Sequence, residues 1–357
     1  MTQTILLTGA SGFLAAHIGK QLLQRGFTVR GTVRSEEKGK YLDNLYKDKN
    51  WSWVIVKDIE TANAFDSAVQ GVDAVIHTAS PFHFNVVDPY KDLINPAVAG
   101  TTILLESAVK EPKIKRVVIT SSFAGREYRS YHGLLMHLAI ANDEKPPYVY
   151  TEKDWNTVSA KEVEKTGDKF HAYRASKTLA EKTAWDFLEN RKKNDGKAPF
   201  DIATINPPYI LGPIIHQCSG PDALNTSMID WYQYLTGKRD DSDGPAMRGS
   251  FVDVRDAAQA HIDAVVTEAA SNQRFVINND ILIYQKFLDF AHSKPGLLDA
   301  FPNAQKGVPG EPDPVSSHTS LSAEKAKATF NWTPIDWRKT VEDMTLSLAE
   351  RQKEWTS

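Results

Sequence analysis

A single cysteine, Cys218, in 357 residues leaves no partner for an intramolecular disulfide, so the chain must be held by a hydrophobic core. A lone thiol reads more readily as a small semi-buried residue than as a nucleophile. No run approaches the roughly 20 apolar residues of a membrane helix. Met1 to Phe13 has no basic start and carries two glycines where a signal peptide would need an unbroken apolar stretch, so the cytosol is the expected compartment and the sequons at Asn225 and Asn331 are coincidental. Excess charge of one sign is missing too. The formal net charge is -3 and the basic residues are scattered, which gives no electrostatic footprint for nucleic acid. There is no Gly-x-Ser-x-Gly elbow for a serine hydrolase and no Cys/His cluster. His132 and His137 lack the His-Glu-x-x-His pattern, so no metal is expected. Internal repeats and low-complexity segments are also absent.

What is present is an alternation of β-branched runs with helical patterns, the pattern of a parallel sheet with crossover helices. Strands are predicted at Thr4–Thr8, Thr28–Arg34, Trp53–Lys57, Ala74–Thr78, Arg116–Ser121 and Asp201–Asn206, with helices over Phe13–Gln24, Pro89–Lys110 and Lys169–Arg191. The strand runs are almost continuously apolar, as they must be when helices cover both faces of a sheet. After Asn206 the alternation stops at Pro207, Pro208 and Pro213. A helix from Val254 to Thr267, a strand at Arg274–Ile277 and a terminal helix near Trp337–Glu354 remain readable. The expectation is an α/β fold with a Rossmann-type doubly wound parallel sheet over residues 1–206 and a smaller C-terminal substrate lobe over 207–357, with 250–270 returning to the first unit.

The first strand runs into Thr8-Gly9-Ala10-Ser11-Gly12-Phe13-Leu14-Ala15. Gly9 permits the tight turn, Gly12 lets the backbone approach a pyrophosphate, and the helix N-terminus favours its charge; Ala15 is a permitted third small residue. Sites that select NAD place an acid about 20 positions past this loop. Here the second strand ends on Arg34, with Lys38 following, and an arginine can pair with a 2′-phosphate that an aspartate would repel. NADP(H) is the expected cofactor. The bland alternative is a solvated arginine, kept open by Glu36 and Glu37. Asp58, after the third strand, is placed either to accept from an adenine amino group or to cap Ile59 and its neighbours.

Tyr173 and Lys177 stand four apart in a predicted helix, which puts phenol and ammonium on one face. A free phenol has a pKa of about 10; a nearby cation favours the phenolate and makes proton exchange near neutrality feasible. Tyr173 would then be the general acid of a carbonyl reduction, with Lys177 also holding the nicotinamide ribose. Ser121 and Ser122 end a sheet strand, where open α/β sheets place ligands, and a hydroxyl there can hydrogen-bond the carbonyl oxygen. Each signal alone occurs by chance; their order along the chain is what makes them informative.

With these residues in view the chain resembles the extended short-chain dehydrogenase/reductase superfamily over nearly its whole length. Within it the sequence is most similar to the dihydroflavonol and cinnamoyl-CoA reductase branch and its fungal methylglyoxal/aldehyde reductases. The carrying segments are the glycine loop, His77-Thr78-Ala79-Ser80-Pro81-Phe82, Thr120-Ser121-Ser122, Tyr173 to Lys177, Asn206-Pro207-Pro208 and Phe251 to Asp256. The resemblance implies Ser122, Tyr173 and Lys177 as catalytic residues. It implies cofactor contacts at Gly9, Ser11, Gly12, Phe13, Leu14, Arg34, Lys38, Asp58, Ile59, Thr78, Ala79, Ser80, Pro207 and Ile210, besides Tyr173 and Lys177. It also implies that Phe82, Phe123 and Tyr209 face the substrate, against which stands plain core packing. Ala99 replaces the asparagine or acid of many relatives, so no four-residue set including asparagine is claimed. The segment from Gly125 to Val149 is longer and more aromatic than the family pattern. Trp185 is expected to pack the helix that carries Tyr173.

The partner expected is a small carbonyl compound, with no nucleic acid and no membrane, for a monomer or homodimer. Two other functions share the scaffold. A sugar-nucleotide epimerase or dehydratase would use the same Tyr/Lys pair but usually reads NAD with an acid, against Arg34. A non-catalytic NADP(H)-binding regulator would not need Ser122, Tyr173 and Lys177 together.

Overall fold

The computed structural model describes residues 2–80, 88, 90–123, 125–128, 135–137, 148–157, 163, 169–239, 247–310 and 320–356. The chain opens as β1 (Thr4–Thr8), α1 (Phe13–Gln24), β2 (Thr28–Val33), α2 (Glu36–Tyr46), β3 (Trp51–Ile55), β4 (Ala74–His77), a π-helical turn at Tyr90–Ile94 that runs into α3 (Asn95–Val109), and β5 (Arg116–Thr120). Short strands β6 (Gly125–Tyr128), β7 (Leu135–His137) and β8 (Val149–Tyr150) precede the 27-residue α4 (Lys169–Asp195) and β9 (Asp201–Asn206). Then come β10 (Tyr209–Leu211), α5 (Thr226–Leu235), β11 (Met247–Asp253), α6 (Val254–Val266), β12 (Gln273–Val276), β13 (Asp280–Ile283), α7 (Tyr284–Ser293), β14 (Ser320–Leu321), α8 (Glu324–Phe330) and α9 (Trp337–Thr356).

Seven strands form one parallel sheet in the order β12-β9-β5-β4-β1-β2-β3. The order reverses between β1 and β4, so a crevice opens beyond their C-terminal ends, where ligands of such sheets bind. Alternation along β1 shows why its run is wholly apolar: Ile5 and Leu7 enter one core and Leu6 the other. On the first side α1 packs against α6. On the second, α3 packs against α4, whose Ala184 and Leu188 join Leu104, Leu105 and Val117. β12 enters the sheet beside β9 from late in the sequence.

A second, mixed sheet joins β10, β11, β6 and β7, with β13 pairing antiparallel to β11. β10 follows β9 directly, so it carries the chain straight from the main sheet into this second sheet. β8 pairs with β14 in a third small sheet. No helix among the described residues is long and apolar enough to cross a membrane.

Candidate active site

Gly9 adopts φ +65°, in the left-handed region, and a Cβ there would lie 3.1 Å from the Ala79 backbone. Glycine is thus needed both for the turn and for the close approach of the β4 end. The loop is braced by Gly9 N donating to Thr32 Oγ1 (3.0 Å) and Ala10 N to Thr32 O (2.9 Å). The N-cap of α1 is Gly12, which offers no side chain to the helix's first amides, and no acid stands in its first turn. Those donors are left for an anion, as a pyrophosphate site requires. Ala15 is buried against the sheet.

At the end of β2 the charges sort themselves. Ser35 caps α2 by accepting from Lys38 N, and Glu36 and Glu37 occupy the first turn, where acids favour the helix dipole. Glu36 pairs with Lys40 at 2.7 Å and Glu37 accepts from Gln217 Nε2 at 2.7 Å. Arg34 is exposed, Lys38 half-buried, and the side chains of both make no ion pair among the described residues. The two acids that kept the alternative open are therefore engaged elsewhere, and Arg34 and Lys38 are left without an ion pair among the described residues.

Behind this helix, the segment from Pro213 to Cys218 is clamped between α2 and α9. Tyr41 donates to Ile215 O (2.9 Å), Arg351 to Tyr41 (2.8 Å) and Trp355 Nε1 to Cys218 O (3.0 Å). His17 Nε2 donates to Pro213 O at 2.9 Å, and His216 packs 5.4 Å from the Phe13 ring. Burial holds both histidines neutral, pushed down to about 4 and about 3. Asp58 is exposed and accepts from Glu60 N (2.9 Å) and Thr61 Oγ1 (3.2 Å), so its carboxylate caps the next turn. Ile59 lies against Gly100 of α3.

The end of β4 is fixed by a buried hydroxyl. Thr8 Oγ1 accepts from Thr78 N (3.1 Å) and Ala79 N (3.2 Å), which leaves its proton for His77 Nδ1 at 2.8 Å. His77 thereby carries its own proton on Nε2, and burial, with the charge of Lys177, pushes it down to about 3. The turn that follows presents Ser80, whose Oγ accepts from Lys177 Nζ at 3.0 Å.

Lys177 and Tyr173 share a face of α4, with Nζ 5.7 Å from the phenol ring centre. Burial lowers the ammonium to about 8 and pushes the phenol up; a hydrogen bond from Ser122 draws the phenol partly back. Tyr173 is thus a protonated acid near neutrality, next to a cation that would stabilise its phenolate. Of the serine pair, Ser121 is committed: its Oγ donates to the buried Glu181 at 2.5 Å. Ser122 is the member that meets Tyr173.

The remaining predicted residues scatter. Pro207 O accepts from Phe123 N at 2.7 Å, which ties the turn after β9 to the end of β5. Phe123 is 2% exposed and packed among Tyr150, Val276 and Leu321, so its ring is core and forms no open wall. Tyr209 is half-buried; its phenol is held by Asp230, leaving the ring rather than the hydroxyl for a substrate. Ile210 is half-buried, with its carbonyl accepting from Ser227 Oγ. Phe82 lies outside the described residues, as does most of the segment between Gly125 and Val149.

Comparison with known proteins follows the same lines. Residues 6–137 match the 3-beta hydroxysteroid dehydrogenase/isomerase family. The NADPH-dependent methylglyoxal reductase GRE2 of Saccharomyces cerevisiae is 30% identical over 354 residues, covering 95% of this chain and 96% of that one. The ketoreductase azaE of Aspergillus niger is 40% identical over 283 residues, 77% of each chain. The chain belongs to the extended short-chain dehydrogenase/reductase family. Among solved structures of that family, Gre2 of Candida albicans in complex with NADPH superposes with a TM-score of 0.82 at 34% identity, covering 98% of this chain and 99% of that one.

For this family member the sequence alone did not single out two paired charges, one buried and one half-buried. Glu181 continues the Tyr173, Lys177 spacing by one more turn of α4, and that periodicity was the available signal. Arg274, which pairs with it at 2.7 Å, comes from β12, almost a hundred positions later, and nothing local announces it.

Proposed function

We propose that this protein reduces small aldehydes and ketones to alcohols with NADPH, with Tyr173 as proton donor. The single observation that carries the reading is the convergence of Ser122, Tyr173 and Lys177 at the C-terminal ends of β4 and β5, beside the strand-order reversal. The preference for NADPH rests on the unpaired Arg34 and Lys38 and on the names of the family relatives. The residues fit a dinucleotide: uncapped amides at α1, a Gly9 turn open to close approach, and Arg34 after β2 with Lys38 in the first turn of α2.

When bound, the nicotinamide supplies a hydride to the carbonyl carbon. Ser122 orients the carbonyl oxygen and stabilises charge that grows on it. Tyr173 donates its proton to that oxygen, and the Lys177 ammonium holds the resulting phenolate. Lys177 would also hold the nicotinamide ribose. Gly9, Ser11, Gly12, Phe13 and Leu14 would cradle the pyrophosphate, Thr78, Ala79, Pro207 and Ile210 would line the nicotinamide side, and Asp58 with Ile59 the adenine side. Phe82 and the ring of Tyr209 form the substrate wall, with Phe123 supporting it from behind. Residues 1–206 act as the dinucleotide-binding unit, with 250–270 returning to it, and 207–357 as the substrate lobe. The same reading makes it a cytosolic enzyme, monomeric or homodimeric, that engages neither nucleic acid nor membrane.

The test is NADPH consumption against a panel of aldehydes, ketones, diketones and sugar nucleotides, run beside NADH. Turnover of aldehydes and diketones with NADPH is expected. Activity confined to sugar nucleotides with tightly held NAD would replace this reading with epimerisation.

A further inference from the structure

Glu181 is 1% exposed, yet its carboxylate gathers donors from four separate elements. Oε2 accepts from Ser121 Oγ at 2.5 Å, after β5, and from Asn206 Nδ2 at 2.9 Å, at the end of β9. Oε1 accepts from Thr204 Oγ1 at 3.0 Å in β9, from Arg274 Nε at 2.7 Å in β12 and, weakly, from Trp185 Nε1 at 3.4 Å on its own helix. These contacts fill the acceptor sites of a carboxylate. They hold it ionised, below the usual carboxylate range, although burial pushes the other way.

Arg274 extends the network outward. Its Nη1 donates to the carbonyls of Glu152 (2.5 Å) and Asp154 (3.1 Å), and its guanidinium lies 3.6 Å from the centre of the Trp155 ring. Glu152 in turn accepts from Val276 N at 3.0 Å. The segment so anchored contains Tyr150, which packs on Phe123 immediately after Ser122.

A buried ion pair of this kind contributes little net stability over apolar side chains of the same volume, because desolvation offsets the attraction. What it does supply is fixed geometry. Tyr173, Lys177 and Glu181 project from one face of α4; the first two reach into the site and the third reaches beneath it to the strand ends that carry Ser122 and Pro207. We propose that Glu181, locked by Arg274, is a positioning residue that sets the height and rotation of the Tyr173 helix against Ser122. This inference rests on the assignment of Ser122, Tyr173 and Lys177 above. It also accounts for the serine pair: Ser121 is the anchor and Ser122 the working hydroxyl.

The experiment compares Glu181→Gln, the double variant Glu181→Leu/Arg274→Met and Tyr173→Phe with wild type. NADPH-binding sites are titrated by fluorescence, so that kcat is expressed per competent site, and 4-deuterated NADPH gives the primary isotope effect on kcat. Glu181→Gln keeps the reach but leaves Arg274 unpaired; the double variant removes both charges, strands the Ser121, Thr204 and Asn206 donors and is expected to melt lower, so kcat is read per competent site at a temperature where it is still folded. In both, a lost alignment of about an ångström should lower kcat per site by roughly 10- to 100-fold. KM should change little, and the isotope effect should rise as the chemical step becomes limiting. A merely structural role would lower the melting temperature or the number of sites and leave kcat per site and isotope effect alone. Wild-type kcat per site in either variant, beside an inactive Tyr173→Phe, overturns the positioning role and leaves the catalytic assignment intact. An active Tyr173→Phe overturns the catalytic assignment and the positioning role with it.

Discussion

Lys177→Met should make the cofactor-free protein more stable while it destroys the enzyme. Burial lowers the Lys177 ammonium from 10.5 to about 8, and its contact with Ser80 does not undo that. At 1.4 kcal/mol per pH unit, keeping this charge inside the fold costs about 3 kcal/mol at neutrality. The unfolded lysine keeps its proton up to about 10.4, so the cost is fully present below pH 8 and disappears as pH rises from there towards 10.5. A methionine of similar length carries no such cost. With an unfolding entropy of about 2.1 cal/mol/K per residue, 3 kcal/mol raises the melting temperature of a chain of this size by about 4 °C. Calorimetry of both proteins without cofactor at pH 7 and again near pH 10 is the assay. The gain should be present at the first pH and shrink at the second. Saturating NADPH should then stabilise wild type more than the variant, because only the lysine can hold the ribose. A variant that melts below wild type at pH 7 without cofactor would refute the argument that this charge is held at a cost for chemistry.

Other outcomes follow from the same geometry. Tyr173→Phe should keep folding and NADPH affinity while turnover falls by about 10²- to 10⁴-fold, measured by NADPH oxidation and fluorescence titration. Arg34→Ala should weaken NADPH by roughly tenfold to a hundredfold and leave NADH binding unchanged, since it removes one charge-assisted contact to the phosphate. Reduction should decline as pH is raised past about 8, where Lys177 loses the charge that supports the phenolate; a pH-rate profile flat to pH 10 would contradict this. Phe123→Ala should cost about 3 to 5 kcal/mol of stability as a core cavity, seen in denaturant unfolding, with less effect on the ranking of substrates than truncating Phe82.

The parallel sheet was legible because its strands are apolar on both faces and its helices amphipathic: Thr4–Thr8, Asp201–Asn206 and Phe13–Gln24 fall where their patterns put them. The helix expected over Pro89–Lys110 begins instead as a π-helical turn, Tyr90–Ile94, before Asn95 and Pro96 open the regular helix. Four of the described helices escaped, Glu36–Tyr46, Thr226–Leu235, Tyr284–Ser293 and Glu324–Phe330, the first two for opposite reasons. In Glu36–Tyr46 only Gly39 and Leu42 are buried, too few to mark a face; in Thr226–Leu235 seven residues are buried, too many to leave a polar one. The second sheet joins strands from far-apart segments, which no local period encodes. In the site, Tyr173, Lys177 and the serine pair could be read from spacing and position. That Ser121 is committed, that Asp58 caps the next turn and that Phe123 is inside depended on partners contributed by Glu181, Thr61 and Tyr150.

The clamp on residues 213–218 gives the last helix a reach back to the second. Arg351 and Trp355 are among the latest residues of the chain, yet through Tyr41 and the carbonyl of Cys218 they brace the helix that begins beside Arg34 and bears Lys38. If Arg34 and Lys38 read the 2′-phosphate as proposed, substitutions near Arg351 offer a way to tune the choice between the two nicotinamide cofactors at a distance, by tilting the platform on which they stand.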